Sequence, residues 1–321
     1  MYKKMLVPMD GSKLAEVVLP YAKELAGRLG LDLIFLYVRS PHESEALPVY
    51  QAYIEHVAEV AKLQSKEVQD KIGAPSGSKV VEVCAEMTMG HPAEEILRYV
   101  DEKGIDLILM ATHGRSGVKP WTIGSNADKV LRSSKIPVWL IRAGLHQDIA
   151  HDKWPYRTML IPLDGSPAAE LVLPHVETLA RQQGSELMKV TLLRVCEQHF
   201  ITADYPEAGT LLSLSEHVKR LTNHVKQVAE QYLGQIEKRL AYTGLEFRSE
   251  VLIGKPANEI IDYAYKNSPN LIVMSTHGHS GISQSEYGRV TYKVLRGASS
   301  PIFMVRPSQS DLTQIKYRRK V

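Results

Sequence analysis

The chain carries the same programme twice, and that constrains its fold more than any other feature. Leu6–Ser12 reads LVPMDGS and Leu160–Ser166 reads LIPLDGS; Ala111–Gly117 reads ATHGRSG and Ser275–Gly281 reads STHGHSG. Between them, GHPAEEI at Gly90–Ile96 returns as GKPANEI at Gly254–Ile260, and VLRSSKIPV at Val130–Val138 returns as VLRGASSPI at Val294–Ile302. The offset between copies is 154 residues at Asp10 and Asp164 and 164 residues at His113 and His277, so the second copy carries ten extra residues in its middle. A repeat this long is a duplicated domain, because stacked repeat units run to only about 20–50 residues. The 321 residues are enough for two domains, each with its own core. The expected division is a first domain at 1–143, a linker at 144–156, a second domain at 157–307 and a polar, basic tail at 308–321.

Charge excludes little and favours little. The 39 basic residues nearly balance 36 acidic ones, giving a net charge of +3, so neither nucleic acid nor a membrane surface is expected as a partner. No apolar run approaches the ~20 residues that span a bilayer, and the N-terminus shows no signal-peptide pattern, so a cytoplasmic location is expected. Cys84 and Cys196 occupy non-equivalent places in the two copies, which argues against a disulfide framework or a zinc site.

Each copy alternates strands and helices. In the first, strands are expected at Met5–Met9, Leu31–Val38, Lys79–Ala85, Asp106–Met110 and Ile136–Ile141. Helices are expected at Glu16–Arg28, at about Val49–Ile72, from Pro92, and after a cap at Ser125. The second copy places strands near Thr158–Leu163, Leu187–Val195, Glu246–Leu252, Leu271–Ser275 and Ile302–Val305. Its extra length falls in an amphipathic stretch, about Leu211–Tyr242, where Leu214, Val218, Leu221, Val225, Val228, Tyr232, Ile236 and Leu240 form a stripe expected to face the core. This βαβ spacing predicts a mostly parallel sheet with helices on both faces, whose ligands bind beyond the carboxyl ends of the strands. The two loops that matter are then the one carrying Asp10 and the one carrying His113 and Gly114.

The second loop has chemical content. Gly114 permits close approach to backbone, and Gly124 and Ser125 sit where a helix begins, with free N–H groups and a positive dipole end. An ordinary capping pair remains the alternative reading of Gly124 and Ser125 taken alone. The same glycine spacing occurs in both copies, Gly114 to Gly124 and Gly278 to Gly288.

With PxDGS, THGxSG and terminal strands ending at Arg142 and Arg306, both halves resemble universal stress protein domains over nearly all of residues 1–307. The resemblance implies two tandem Rossmann-like (adenine nucleotide alpha hydrolase-like) α/β domains, each a five-stranded parallel sheet of order 3-2-1-4-5. It also implies a stress-response regulatory module whose ligand is ATP or a related adenine nucleotide, AMP or ADP. Carried onto this chain, Asp10 and the backbone around Val38 would meet adenosine, Ala111 and Gly114 would line ribose and phosphates, and Gly124, Ser125 and Asn126 would hold phosphate. Magnesium would accompany ATP with Asp10 as ligand or water-holder. The lobes are expected to pair through their last strands like a homodimer fused into one chain, with a further homodimer and an unidentified protein partner left open.

The chain departs from the family pattern G-x-x-G-x9-G-[ST] at two places. Ala111 replaces its first glycine in copy one; copy two has Ser275 there and Arg289 in place of the small hydroxyl residue. Arg115 and Lys119 stand in the first loop, whereas the second has Glu286 with His279 and Arg289, so nucleotide is expected mainly in the N-terminal lobe. Asp164, Val195, Ser275, Gly278, Gly288 and Arg289 form the weaker second set. The HIGH-type, SGGxDS and Walker signatures of related enzymes are missing, and His113 and His277 lack a nucleophile to activate. Catalysis is therefore expected, at most, as slow ATP hydrolysis or phosphotransfer; a nucleotide-independent interaction scaffold is the alternative function.

Overall fold

The computed structural model describes residues 1–40, 47–72, 81–114, 117, 122–143, 157–184, 188–197, 211–278, 287–308 and 310–311. The linker at 144–156 and the loop charges Arg115, Lys119, His279 and Glu286 lie outside them. In the first copy, strands β1 (Lys4–Met9), β2 (Asp32–Arg39), β3 (Val83–Met89), β4 (Leu107–Ala111) and β5 (Val138–Ile141) alternate with helices α1 (Leu19–Leu29), α2 (Leu47–Lys71), α3 (Pro92–Lys103) and α4 (Ser125–Ser133). In the second, β6 (Arg157–Pro162), β7 (Met188–Cys196), β8 (Glu246–Ile253), β9 (Leu271–Ser275) and β10 (Ile302–Val305) alternate with α5 (Pro167–Glu170), α6 (Leu173–Gln183), α7 (Leu211–Leu240), α8 (Pro256–Asn267) and α9 (Arg289–Gly297).

All ten strands form one sheet of order β3-β2-β1-β4-β5-β10-β9-β6-β7-β8. Within each half the pairs are parallel; at the centre β10 meets β5 antiparallel, Phe303 opposite Trp139. An apolar last strand at the edge of each half leaves unpaired backbone groups, and the tandem chain satisfies one edge with the other. One face of the sheet carries a core that runs without interruption from one half to the other. It includes Phe35 and Tyr37 of β2, Leu25 of α1, Trp139, Phe303, Val176 of α6 and Leu233 of α7. Alternate strand residues such as Ile34, Leu36, Leu193 and Met304 point into the opposite layer, under α3, α4, α8 and α9.

The halves make side-chain contacts as well. Tyr2 is buried at their junction, its hydroxyl 2.6 Å from His175 Nδ1, its ring edge-on to Phe303, and its backbone N–H donating to Gln182 at 2.9 Å. Trp139 and Phe303 stand edge to face at 5.7 Å between centroids. These two rings anchor the contact between halves.

Three local expectations are corrected. The edge strand is Val83–Met89, four residues later than the apolar reading at Lys79–Ala85, of which Lys79 and Val80 are outside the described residues. Its pairing from Leu33 opposite Val83 to Arg39 opposite Met89 uses the full length of β2. Second, Gly124 is the N-cap of α4, with extended backbone, and Ser125 is its first helical residue rather than its cap. Third, the α7 stripe faces the core only in its C-terminal half. Ala229, Leu233, Ile236 and Leu240 are buried, but Leu221, Val225 and Val228 are exposed, because the helix extends past the sheet that would cover them.

Candidate functional site

In each half β1 or β6 is flanked by strands reached through connections in opposite directions, so the winding reverses there and a crevice opens beyond the strand ends. Two turns shape it. After β1, Asp10 Oδ1 accepts from the Ser12 backbone N–H at 2.9 Å and from its hydroxyl at 2.7 Å; after β6, Asp164 Oδ1 does the same with Ser166 at 2.9 and 2.5 Å. The other carboxylate oxygen is turned toward the second loop. A Cβ on Gly114 would come within 2.0 Å of Asp10 Oδ2, and one on Gly278 within 2.3 Å of Asp164 Oδ2. Glycine is required at both positions so that the carboxylate can lie against backbone.

The start of the following helix is tied to the same loop. Gly124 N–H donates to Thr112 O at 2.8 Å, and Gly288 N–H donates to Thr276 O at 2.9 Å. Each helix start is therefore held beside the strand ends with its first N–H groups directed outward. Pro92 and Pro256 open α3 and α8 across the crevice, with His91 and Lys255 as N-caps.

The histidines are structural. His113 is buried, with Nδ1 3.1 Å from Thr112 Oγ1 and Nε2 3.1 Å from Thr122 Oγ1; burial, and secondarily Arg142, push its pKa down. His277 is likewise buried, its Nδ1 2.8 Å from Thr276 Oγ1. Threonine hydroxyls of the loop hold both rings, and His277 also lines the second lobe's cleft. Among the described residues no group of three or more His, Cys, Asp or Glu side chains could hold a metal ion.

In the second half the crevice is a cleft of about 770 Å³. It gathers Asp164, Val195, Ser275, Gly278, Gly288 and Arg289, all six of the residues named for that half from the sequence. A family model described as the universal stress protein family matches residues 1–142 and 155–306. The chain belongs to the universal stress protein family. It is 24% identical over 329 residues to a universal stress protein of Synechocystis, an alignment covering 95% of this chain and all of that protein. It is 28% identical over 142 residues to one from Methanocaldococcus jannaschii, covering 44% of this chain and 83% of that protein. The crystal structure of a universal stress protein from Archaeoglobus fulgidus shares the fold, with a TM-score of 0.60 at 19% identity over 95% of this chain and 98% of that one.

In this tandem universal stress protein, sequence reasoning missed four cleft-lining groups of the second lobe: Arg194, Glu197, Lys255 and Lys293. Lys255 had a legible signal, since it precedes the Pro256 that opens a helix. In the first lobe, Asp10 and Gly114 meet as described, Ala111 ends β4, and Ser125 and Asn126 are exposed on the first turn of α4. Val38 is half-buried near the end of β2 and packs against the α3 and α4 layer. Arg115 falls outside the described residues. No helix among the described residues is long and apolar enough to cross a membrane.

Proposed function

We propose that this universal stress protein is a regulatory module that binds an adenine nucleotide, ATP or its AMP or ADP relatives, with its principal site in the N-terminal lobe. The two lobes act as domains 1–143 and 157–307. The observation that supports the reading best is the cleft at the reversal point of the second lobe, which gathers its six expected residues in a volume suited to a nucleotide. The first lobe repeats the backbone arrangement at Asp10, Gly114 and Gly124 and keeps the small residues Ser125 and Asn126 where phosphate would meet the helix start. Magnesium would enter with the triphosphate, with Asp10 as its ligand or water-holder.

Calorimetric titration of ATP, ADP and AMP into the full chain tests this, with Ser125→Glu as the decisive variant. Ser125 is exposed at the first helical position, so a carboxylate there suits the helix dipole and spares the fold, yet repels phosphate. The expected result is at least tenfold weaker nucleotide binding. Unchanged affinity would remove the N-terminal site.

A further inference from the structure

Helix α7 outgrows the lobe it belongs to. Both long helices are tied to the turn after their lobe's first strand by the same bond: Tyr53 Oη donates to Glu16 at 3.1 Å, and Tyr232 Oη donates to Glu170 at 3.0 Å. α2 begins six residues before its tyrosine and α7 twenty-one before its own, so α7 carries about 15 residues, or about 22 Å of helix, without a counterpart in the first lobe. Burial reflects the difference. Ile54, Val57, Ala58 and Ala61 are buried directly after Tyr53, whereas α7 goes under cover only from Ala229. Ahead of Ala229, Leu221 is 44% exposed, Val225 44% and Val228 50%, and no other element among the described residues presents three large apolar side chains to solvent.

These residues are spaced as a coiled-coil seam. Val218, Leu221, Val225 and Val228 follow one another at intervals of three, four and three, which puts Val218 and Val225 at the a positions of a heptad and Leu221 and Val228 at its d positions. A seam that meets an identical helix has to avoid charge, because two copies bring like charges face to face. The flanks of α7 meet that condition. Between Glu216 and Gln231 every lysine, arginine and glutamate falls at b, c or f, on the side away from the seam, while the e and g positions hold Thr222, His224, Ala229 and Gln231. On the outer side Arg220 pairs with Glu216 at 4.0 Å and Lys226 with Glu230 at 3.8 Å. Thr222 donates its hydroxyl to Val218 O at 2.9 Å, so its polar group is satisfied within the helix.

We propose that the overhanging half of α7 is an interface for a second copy of this chain, the two helices packing antiparallel along Val218, Leu221, Val225 and Val228. With the two-fold axis beside Asn223, Val218 meets Val228 and Leu221 meets Val225 across the pair, so each layer joins an a residue to a d residue. The direction follows from the body of the lobe. Val225 also lines the second lobe's cleft, so the seam looks across that opening, and a parallel partner would bring its own lobe into the space this lobe fills. An antiparallel partner carries its lobe away. The apolar strand edges at β5 and β10 are already spent on each other within the chain, which leaves α7 as the exposed apolar surface for a further copy. The helix is held in place by its buried C-terminal half, so pairing does not have to meet the cost of nucleating it. The seam is short, about 16 Å from Val218 to Val228, which sets the pair at the weak end of specific interfaces, with a Kd of about 10–100 µM. This interface is independent of the nucleotide reading.

Sedimentation velocity of the full chain, from about 1 to about 300 µM, should show a monomer–dimer equilibrium in that range. Leu221→Glu with Val228→Glu sets carboxylates against apolar partners in the seam and should weaken dimerisation at least tenfold. Both positions are exposed, so far-ultraviolet circular dichroism and the thermal midpoint should match the parent; Leu221→Gln with Val228→Thr, a milder pair, should weaken the dimer in the same direction. Direction and register are read by cross-linking. In a Cys84→Ser background, an equimolar mixture of Val218→Cys and Val228→Cys proteins under mild oxidation should give the mixed disulfide dimer. Dimers of one protein type alone would show parallel helices and overturn the arrangement. A monomer at every concentration, or a dimer that the folded double variants leave unchanged, overturns the inference.

Discussion

Removing Phe303 should weaken the whole molecule, because its ring belongs to both lobes at once. It is fully buried, lies opposite Trp139 across the one antiparallel pair at the centre of the sheet, and meets Trp139 edge to face at 5.7 Å and Tyr2 at 6.3 Å. Burying a phenyl ring contributes about 1.5–3 kcal/mol, and the cavity left behind raises the cost of Phe303→Ala to about 3–5 kcal/mol. Against a total stability on the order of 5–15 kcal/mol, that is a third or more for many chains of this kind. Trp139→Ala should cost a similar amount, and the double variant should cost less than the sum of the two by about 0.5–1.5 kcal/mol, the share that belongs to the ring pair. Urea unfolding followed by far-ultraviolet circular dichroism measures all four corners of the cycle, with the m-value checking for two-state behaviour. A lower m-value or a second transition in the single variants would show the lobes unfolding separately once their shared core is cut. Strict additivity, within about 0.3 kcal/mol, or a cost below about 1 kcal/mol for Phe303→Ala, would refute the view that this ring pair couples the lobes.

Two further outcomes are expected. A Cβ on Gly124 would sit 3.0 Å from Thr112 O, whereas one on Gly288 would be 3.7 Å from Thr276 O; both glycines are N-caps with negative φ, so the loss of the cap is common to both. Gly124→Ala should therefore cost about 1–2 kcal/mol more than Gly288→Ala in thermal or chemical unfolding, and equal costs would show that the loop at Thr112 yields freely. The buried His175 has its pKa lowered from 6.5, by burial first and by the nearby N-terminal amine second, so the unfolded chain takes up its proton before the folded one does. Its contribution to stability is complete above about pH 6.5 and is lost as the pH falls through the folded-state value, giving a positive slope of stability with pH in that window. Denaturation midpoints from pH 8 to pH 5 should fall, and His175→Gln should flatten part of that fall; an identical profile in the variant would exclude His175 as a source.

Much was determined by the chain's own pattern. The duplication, the order of strands and helices, and the positions of Asp10, Gly114 and Gly124 at loop and helix boundaries follow from apolar runs and glycine placement, which are local properties of the backbone. Pairing through the last strands was also legible, because an apolar strand at a sheet edge has to be covered. Other features depended on neighbours distant in sequence. The register of β3 was set by the length of β2, since the edge strand itself is mostly half-buried and has no strong alternation to fix it. The stripe along α7 shows which face is apolar but not how far the sheet beneath extends, so Leu221, Val225 and Val228 read as core and are exposed. Trp139 and Phe303 could each have filled its own lobe, and only the antiparallel junction set one ring against the other. Arg194, Lys255 and Arg289 are separated by tens of residues, and although Arg289 was legible from its loop motif and Lys255 from the proline after it, no local pattern joins the three. Their convergence on one cleft is a consequence of three βα units ending on the same side of the sheet, which periodicity along the chain does not encode.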